Sequence, residues 1–291
     1  MHNVALTWQQ AGWLTAALAL ASLALPYVRA GWSRATLPFI REASVISGLY
    51  ALWQLAGSLS VLGTTGAFSR ARWIVRVEHD AGLPSEARFQ HLVTHHPLVV
   101  QACNLYYATM HFGVLFAFLL WAFLRHRDAY RRARATLVLL TLTCLLIQLV
   151  PVAPPRLLPG FIDTASQYGQ SVYSLGLAPD QLSAMPSVHV GWAVLVAWTV
   201  IRASTSRWRW LAVVHPLATV FVVTATANHF WLDGVVAIAL LVACMVLQRV
   251  ARDALLEAAG HASISRWRRP VPPPESISAP REVLAASATS D

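Results

Sequence analysis

The sequence contains no lysine, since all 22 of its basic residues are arginine. Charged residues of both signs make up only 12% of the 291 residues, about half of what a soluble domain carries. The absence of lysine excludes Schiff-base chemistry and every other mechanism that needs an amine side chain. The scarcity of charge indicates that water is not the main solvent of this chain.

Cysteine is also scarce. Cys103, Cys144 and Cys244 are scattered through apolar segments without the spacing of a metal site or an obvious disulfide partner, so we expect them to serve in packing.

Apolar residues make up 56% of the chain, and its mean hydropathy is +0.52. Several apolar stretches approach the roughly 20 residues that a helix needs to cross a bilayer. This pattern predicts an all-α fold, a polytopic bundle of six or seven transmembrane helices. The stretches lie at residues 11–28, 43–62, 98–124, 135–152, 186–201, 210–228 and 232–248.

The net charge of +9 would suggest nucleic acid as a partner of a soluble protein. Here the arginines lie in short loops beside apolar segments, where they set membrane orientation, so we expect no nucleic-acid partner. The arginine-rich ends near residues 29–41, 125–134, 202–209 and 249–252 are predicted to be cytoplasmic. We therefore expect an integral protein of the cell (plasma) membrane, surrounded by membrane lipids.

The polarity of the chain divides it into three predicted regions. Residues 1–97 hold N-terminal membrane helices and, from Phe68 to Pro97, a charged segment suited to an interfacial helix. Residues 98–250 form the predicted catalytic membrane core. Residues 251–291 read as a polar, disordered cytoplasmic tail.

Three polar clusters lie at the predicted outer ends of apolar segments: Ala153 to Arg156, Ala184 to His189, and Asn228 to Asp233. The loop from Ala153 to Met185 carries one arginine against two aspartates, which places it opposite the arginine-rich ends. We therefore expect the three clusters to form one extracytoplasmic site.

His229 and Asp233 are four residues apart and share one helix face, so the carboxylate can accept a hydrogen bond from one imidazole nitrogen. The other nitrogen is then an oriented nucleophile. Pro186 suits the first turn of a helix, which puts Ser187 and His189 at a helix N-terminus that favours an anion. Arg156 can bind phosphate oxygens through its planar guanidinium, or it can simply extend to the membrane interface.

These residues resemble the type 2 phosphatidic acid phosphatase (PAP2) superfamily, specifically the branch related to the inositolphosphotransferases that make inositol phosphorylceramide. The resemblance covers roughly Leu98 to Val250. It implies that His229 attacks phosphorus, that His189 protonates the leaving group and that Asp233 orients the nucleophile. The implied function is a phosphatase or phosphotransferase that acts on a lipid phosphate through a phosphohistidine, with an alcohol as a possible acceptor.

The sequence departs from the family pattern in its phosphate-binding cations. The first motif lacks its lysine and has Pro155 before Arg156, and Val223 replaces the arginine usual six residues before His229. Both losses are associated with the transferase-like branch. His111 fits either a substrate-binding residue or a packed core histidine.

Neither a metal nor another cofactor is expected, because Asp163 and Asp180 read as remote carboxylates in a flexible loop. The alternative functions are a non-enzymatic polytopic transporter and a haem or metal carrier. A transporter would favour paired half-repeats, which are not evident. A haem carrier would favour two histidines on one helix, and no apolar segment holds such a pair.

Overall fold

The structure, a computed structural model, describes residues 6–28, 31–60, 64–172 and 181–267. Throughout these ranges the regular structure is helical, with one isolated β-bridge between Val152 and Ser183. The helices are α1 (Trp8–Ala24), α2 (Gly31–Ser60), α3 (Ala67–Asp80), α4 (Glu86–Thr94), α5 (Pro97–Arg125), α6 (Arg127–Gln148), α7 (Thr164–Gln167), α8 (Val188–Ala203), α9 (Val214–Ala225) and α10 (Trp231–Trp267).

The seven predicted apolar segments coincide with α1, α2, α5, α6, α8, α9 and α10, apart from residues 61–62, which lie outside the described residues. By length and composition, three helical stretches of the described chain can cross a bilayer: Pro97–Arg125, Arg207–Ala225 and Trp231–Glu257. The all-α fold of a membrane protein is thus confirmed, and the number of six or seven crossings stays a prediction.

The main core lies between α5, α6, α8 and α10, where Phe118, Leu140, Leu195 and Leu241 are buried together. Gly191 permits the close approach of α8 to α6, because a Cβ atom at this position would lie 3.0 Å from Leu140 Cδ2. This contact holds the first turn of α8 against the bundle.

The charged segment predicted as one interfacial helix forms two helices, α3 and α4. Ala67, Ala71 and Ile74 on α3 are buried in a cluster that also contains Ala153 and Phe230. Because Ala153 and Phe230 belong to the predicted site clusters, this segment packs directly against them.

The chain forms two compact units, residues 1–248 and 249–291. Helix α10 continues to Trp267, so the predicted disordered tail is helical where it begins. Residues 268–291 of that tail lie outside the described residues.

Candidate active site

Backbone hydrogen bonds tie the three polar clusters together. The Arg156 N–H donates to the carbonyl of Ala227 at 2.8 Å, and the Ser187 N–H donates to the carbonyl of Asp233 at 3.2 Å. Residues that are far apart in the chain therefore meet at one place, as the sequence predicts.

His229 is 4% exposed and has two acceptors at its Nδ1 atom. The carbonyl oxygen of Ala184 lies 2.7 Å from Nδ1, and Asp233 Oδ2 lies 3.2 Å from it. Since a carbonyl oxygen can only accept, Nδ1 carries the hydrogen. In the neutral imidazole, Nε2 then holds a lone pair, as a nucleophile requires.

Asp233 is fully buried at the third residue of α10. Its Oδ2 atom also accepts the N–H of Phe230 at 2.9 Å, so the side chain caps the first turn of its own helix. The chain reverses before this turn at Ala227, whose φ of +51° lies in the left-handed region. This tight reversal brings His229 directly onto the start of α10.

His189 lies in the first turn of α8 and faces His229, with 3.1 Å between His189 Nδ1 and His229 Nε2. Ser187 is the N-cap, and its hydroxyl oxygen accepts the Val190 N–H at 3.4 Å. The prediction that Pro186 lies in the first turn is wrong, because α8 begins at Val188 and Pro186 precedes the cap. Capping by the serine side chain moves the helix start past the proline.

His111 lies on α5 beside His189, with 4.0 Å between the two ring centroids. The ring of Tyr107 packs edge-on against His111 at 5.2 Å. Both ring nitrogens of His111 are buried and have no hydrogen-bond partner within the described residues. The structure thus places His111 beside His189, which in turn faces His229. Its role in substrate binding stays a prediction.

Arg156 is 5% exposed, and its Nε atom lies 3.6 Å from Asp163 Oδ2. The loop that carries Asp163 is anchored rather than flexible: Gln90 makes two hydrogen bonds to the backbone of Ile162, at 2.8 and 2.9 Å. Asp163 is therefore a neighbour of the site, contrary to the sequence-based expectation. Asp180 lies outside the described residues.

Sequence reasoning missed two buried carboxyls, Glu78 on α3 and Glu86 on α4, which are 3% and 4% exposed. Burial, together with the neighbouring Glu86 carboxyl, raises the pKa of Glu78 to about 9. The spacing of residues in α3 could have indicated the burial of Glu78, because it lies on the same helix face as the buried positions 67, 71 and 74.

The site thus brings together an imidazole held in one tautomer, a second imidazole and a buried carboxyl, a set of groups suited to covalent catalysis. Within the described ranges, no group of three or more His, Cys, Asp or Glu side chains is arranged to hold a metal ion.

Comparison with protein families shows that residues 72–247, more than half of the chain, match the model described as PAP2 superfamily. Comparisons with curated proteins and with solved structures gave no significant match.

Proposed function

We propose that this chain, which belongs to the PAP2 superfamily, is a membrane enzyme that transfers the phosphoryl group of a lipid phosphate through a phosphohistidine. Family membership supports phosphatase or phosphotransferase activity. The phosphohistidine intermediate and the lipid substrate are the further steps of the proposal.

The geometry of His229 carries the proposal. The Ala184 carbonyl and Asp233 both accept from Nδ1, so the lone pair on Nε2 points away from them and towards His189. A buried imidazole held in one tautomer needs no further proton transfer before it attacks phosphorus.

In the first step, His229 Nε2 forms a bond to phosphorus while the bond from phosphorus to the leaving oxygen breaks. That oxygen takes a proton from His189, which enters the step as the imidazolium, acts as the general acid and is left neutral. Phosphorus must enter along the Nε2 lone pair, where His189 Nδ1 lies at 3.1 Å, so the two rings separate when substrate binds.

In the second step, water or an alcohol attacks phosphorus and the N–P bond breaks. The attacking oxygen gives its proton to His189, which restores both histidines. The same groups therefore serve hydrolysis and transfer, and the acceptor decides between them.

Arg156, Ser187 and His111 are the proposed substrate-binding residues. A buried guanidinium favours the charge of a phosphate, and Ser187 lies at a helix N-terminus, where N–H groups and the helix dipole favour an anion. His111 would contribute a ring nitrogen beside His189.

The missing cations favour the transferase-like branch. Val223 is 2% exposed, and its carbonyl accepts the N–H groups of Asn228 and His229, so the position contributes to the shape of the reversal rather than to phosphate charge. Since the branch that the sequence resembles makes inositol phosphorylceramide, a phosphoinositide donor and a lipid alcohol acceptor are the substrates that we favour.

The orientation of the helices supports an extracytoplasmic site in the plasma membrane, within a bundle of six or seven crossings. Helices α5 and α8 run from the site towards arginines at their far ends, Arg125 and Arg202, and α6 starts among arginines and ends at the site. By the positive-inside bias those far ends are cytoplasmic.

The test incubates purified protein with phosphatidic acid, a polyprenyl diphosphate and a phosphoinositide, each with and without a lipid alcohol. Free phosphate indicates hydrolysis, and a phosphorylated alcohol or its headgroup adduct indicates transfer. Acid quenching of a reaction with labelled phosphate should trap acid-labile label on the wild type and none on His229→Ala. The absence of both products with all three lipids would refute the proposed function.

A further inference from the structure

We infer that Glu78 and Glu86 are positioning residues that hold the first turn of α10, and with it His229 and Asp233, in the reactive arrangement. The inference rests on the proposed function for its catalytic consequence. The positioning itself can be measured without any activity.

The start of α10 receives carboxyls from two other helices. Glu78 Oε1 on α3 accepts the N–H of Leu232 at 2.6 Å, and Glu86 Oε1 on α4 accepts the N–H of Trp231 at 3.3 Å. In addition, the indole N–H of Trp231 donates to the carbonyl of Pro84 at 2.8 Å. Helix α3, helix α4 and the segment between them are thus each attached to this turn by one hydrogen bond.

Asp233 accepts the preceding N–H group, that of Phe230. Three consecutive N–H groups at the start of α10 therefore each have a carboxyl acceptor, where a helix otherwise leaves its first N–H groups without an intrahelical partner. Leu232 directly precedes Asp233 and Trp231 is two residues after His229, so a displacement of this turn would move both side chains.

Charge explains why one of the carboxyls should be neutral. The charged groups that bear on Glu78 are Glu86 from α4 and Asp233 from α10. Three carboxylates around one buried turn would repel one another. The pKa of Glu78, which burial raises to about 9, means that Glu78 keeps its proton at neutral pH. It can then accept the Leu232 N–H without adding a third negative charge.

Because the Glu78 carboxyl is protonated, glutamine is a substitute of the same charge and similar shape. In Glu78→Gln the amide oxygen can accept the Leu232 N–H, and the variant should keep kcat within a few-fold of wild type at pH 7. In Glu78→Ala that acceptor is lost, and we expect kcat to fall about tenfold to a hundredfold with KM little changed, as for a small displacement of reacting groups. Asp80→Ala is the control on the same helix, because the Asp80 side chain is 81% exposed.

Amide hydrogen exchange tests the positioning directly. Residues 230–233 should exchange faster in Glu78→Ala than in wild type, Glu78→Gln or Asp80→Ala. Unchanged exchange in Glu78→Ala would overturn the inference. If the wild type transfers no phosphoryl group, the proposed function fails, and the exchange data still decide whether Glu78 positions the turn.

The pH dependence gives a second measurement should Glu78→Ala not fold. A folded-state pKa above the ordinary value means that the folded protein binds more protons than the unfolded chain between about 4.5 and 9, so stability falls as pH rises through that window. The melting temperature of Glu78→Gln should therefore decline less than that of wild type between pH 7 and 10. Equal declines in the two proteins would overturn the role of the Glu78 proton.

Discussion

Replacing Asp233 with asparagine separates the charge of this side chain from its hydrogen bonds. A single oxygen, Oδ2, faces both the Phe230 N–H at 2.9 Å and His229 Nδ1 at 3.2 Å. The amide oxygen of asparagine can take that position and accept from both groups. The amide nitrogen would then replace Oδ1, which has no hydrogen-bond partner within the described chain.

The expected loss follows from what the substitution leaves in place. The Ala184 carbonyl still lies 2.7 Å from His229 Nδ1, so the imidazole keeps its tautomer without the carboxylate. What is lost is the negative charge beside an imidazole that becomes positive when it bonds to phosphorus. A hydrogen bond to a charged group contributes about 1.5 to 3 kcal/mol, against about 0.5 to 1.5 for a neutral one, so the charge accounts for about 1 to 1.5 kcal/mol. We therefore expect kcat to fall about fivefold to tenfold in Asp233→Asn.

The expected loss is much smaller than in the serine protease triad. There the equivalent replacement of aspartate by asparagine lowers kcat by about 10⁴, because the histidine adopts the wrong tautomer. The assay measures initial rates in mixed micelles over a range of lipid phosphate, with thermal unfolding as a check on folding. A loss near 10⁴ would refute the role of the Ala184 carbonyl. A loss of less than threefold would show that the Asp233 charge does not assist the reaction.

Three further outcomes test the proposed reaction. His229→Ala should abolish turnover in a folded protein. The control His79→Ala changes a side chain that is 88% exposed and should leave turnover intact. More than a few per cent residual activity in His229→Ala would exclude His229 as the nucleophile. With the native cysteines replaced, Gln167→Cys should react with an impermeant thiol reagent on intact cells and Asp128→Cys should not, and the reverse pattern would place the site on the cytoplasmic face. Activity should survive millimolar EDTA and fall with vanadate, because the proposed cation is Arg156; loss in EDTA with recovery in Mg²⁺ would refute the histidine mechanism.

The helices were predictable because each apolar run approaches the length of a membrane crossing, but hydropathy alone placed some of their ends wrongly. Helix α2 begins at Gly31, twelve residues before the predicted apolar run, and α6 begins at Arg127 instead of residue 135. In both places the helix continues through an arginine-rich stretch. Arginine is a good helix former, so charge ends the apolar run without ending the helix.

The side chains of the proposed reaction were predictable from their spacing, whereas the group that fixes the tautomer of His229 was not. His229 and Asp233 are recognisable because an interval of four residues places them on one helix face. The carbonyl of Ala184 leaves no trace in the sequence, since every residue has one and only the fold decides which of them reaches Nδ1. Ser187 illustrates the same limit, because its hydroxyl was predicted near a helix start but its role as the N-cap of α8 depends on the local backbone.

The part of the chain that bears on the chemistry extends further towards the N-terminus than the motifs do. The motifs begin at residue 153 and the predicted catalytic core at residue 98, whereas the family match begins at residue 72 and includes Glu78 and Glu86. Motif reasoning finds residues whose chemistry makes or breaks bonds, and two glutamates in a charged segment resemble ordinary surface residues. Their burial against the first turn of α10 indicates a structural role, because a carboxyl is costly to bury unless it is protonated or accepts hydrogen bonds. The proposed catalytic turn is therefore held on one side by the backbone carbonyl of Ala184 and on the other by the side-chain carboxyls of Glu78 and Glu86. The sequence alone does not distinguish that carbonyl from any other, nor these two buried carboxyls from exposed ones.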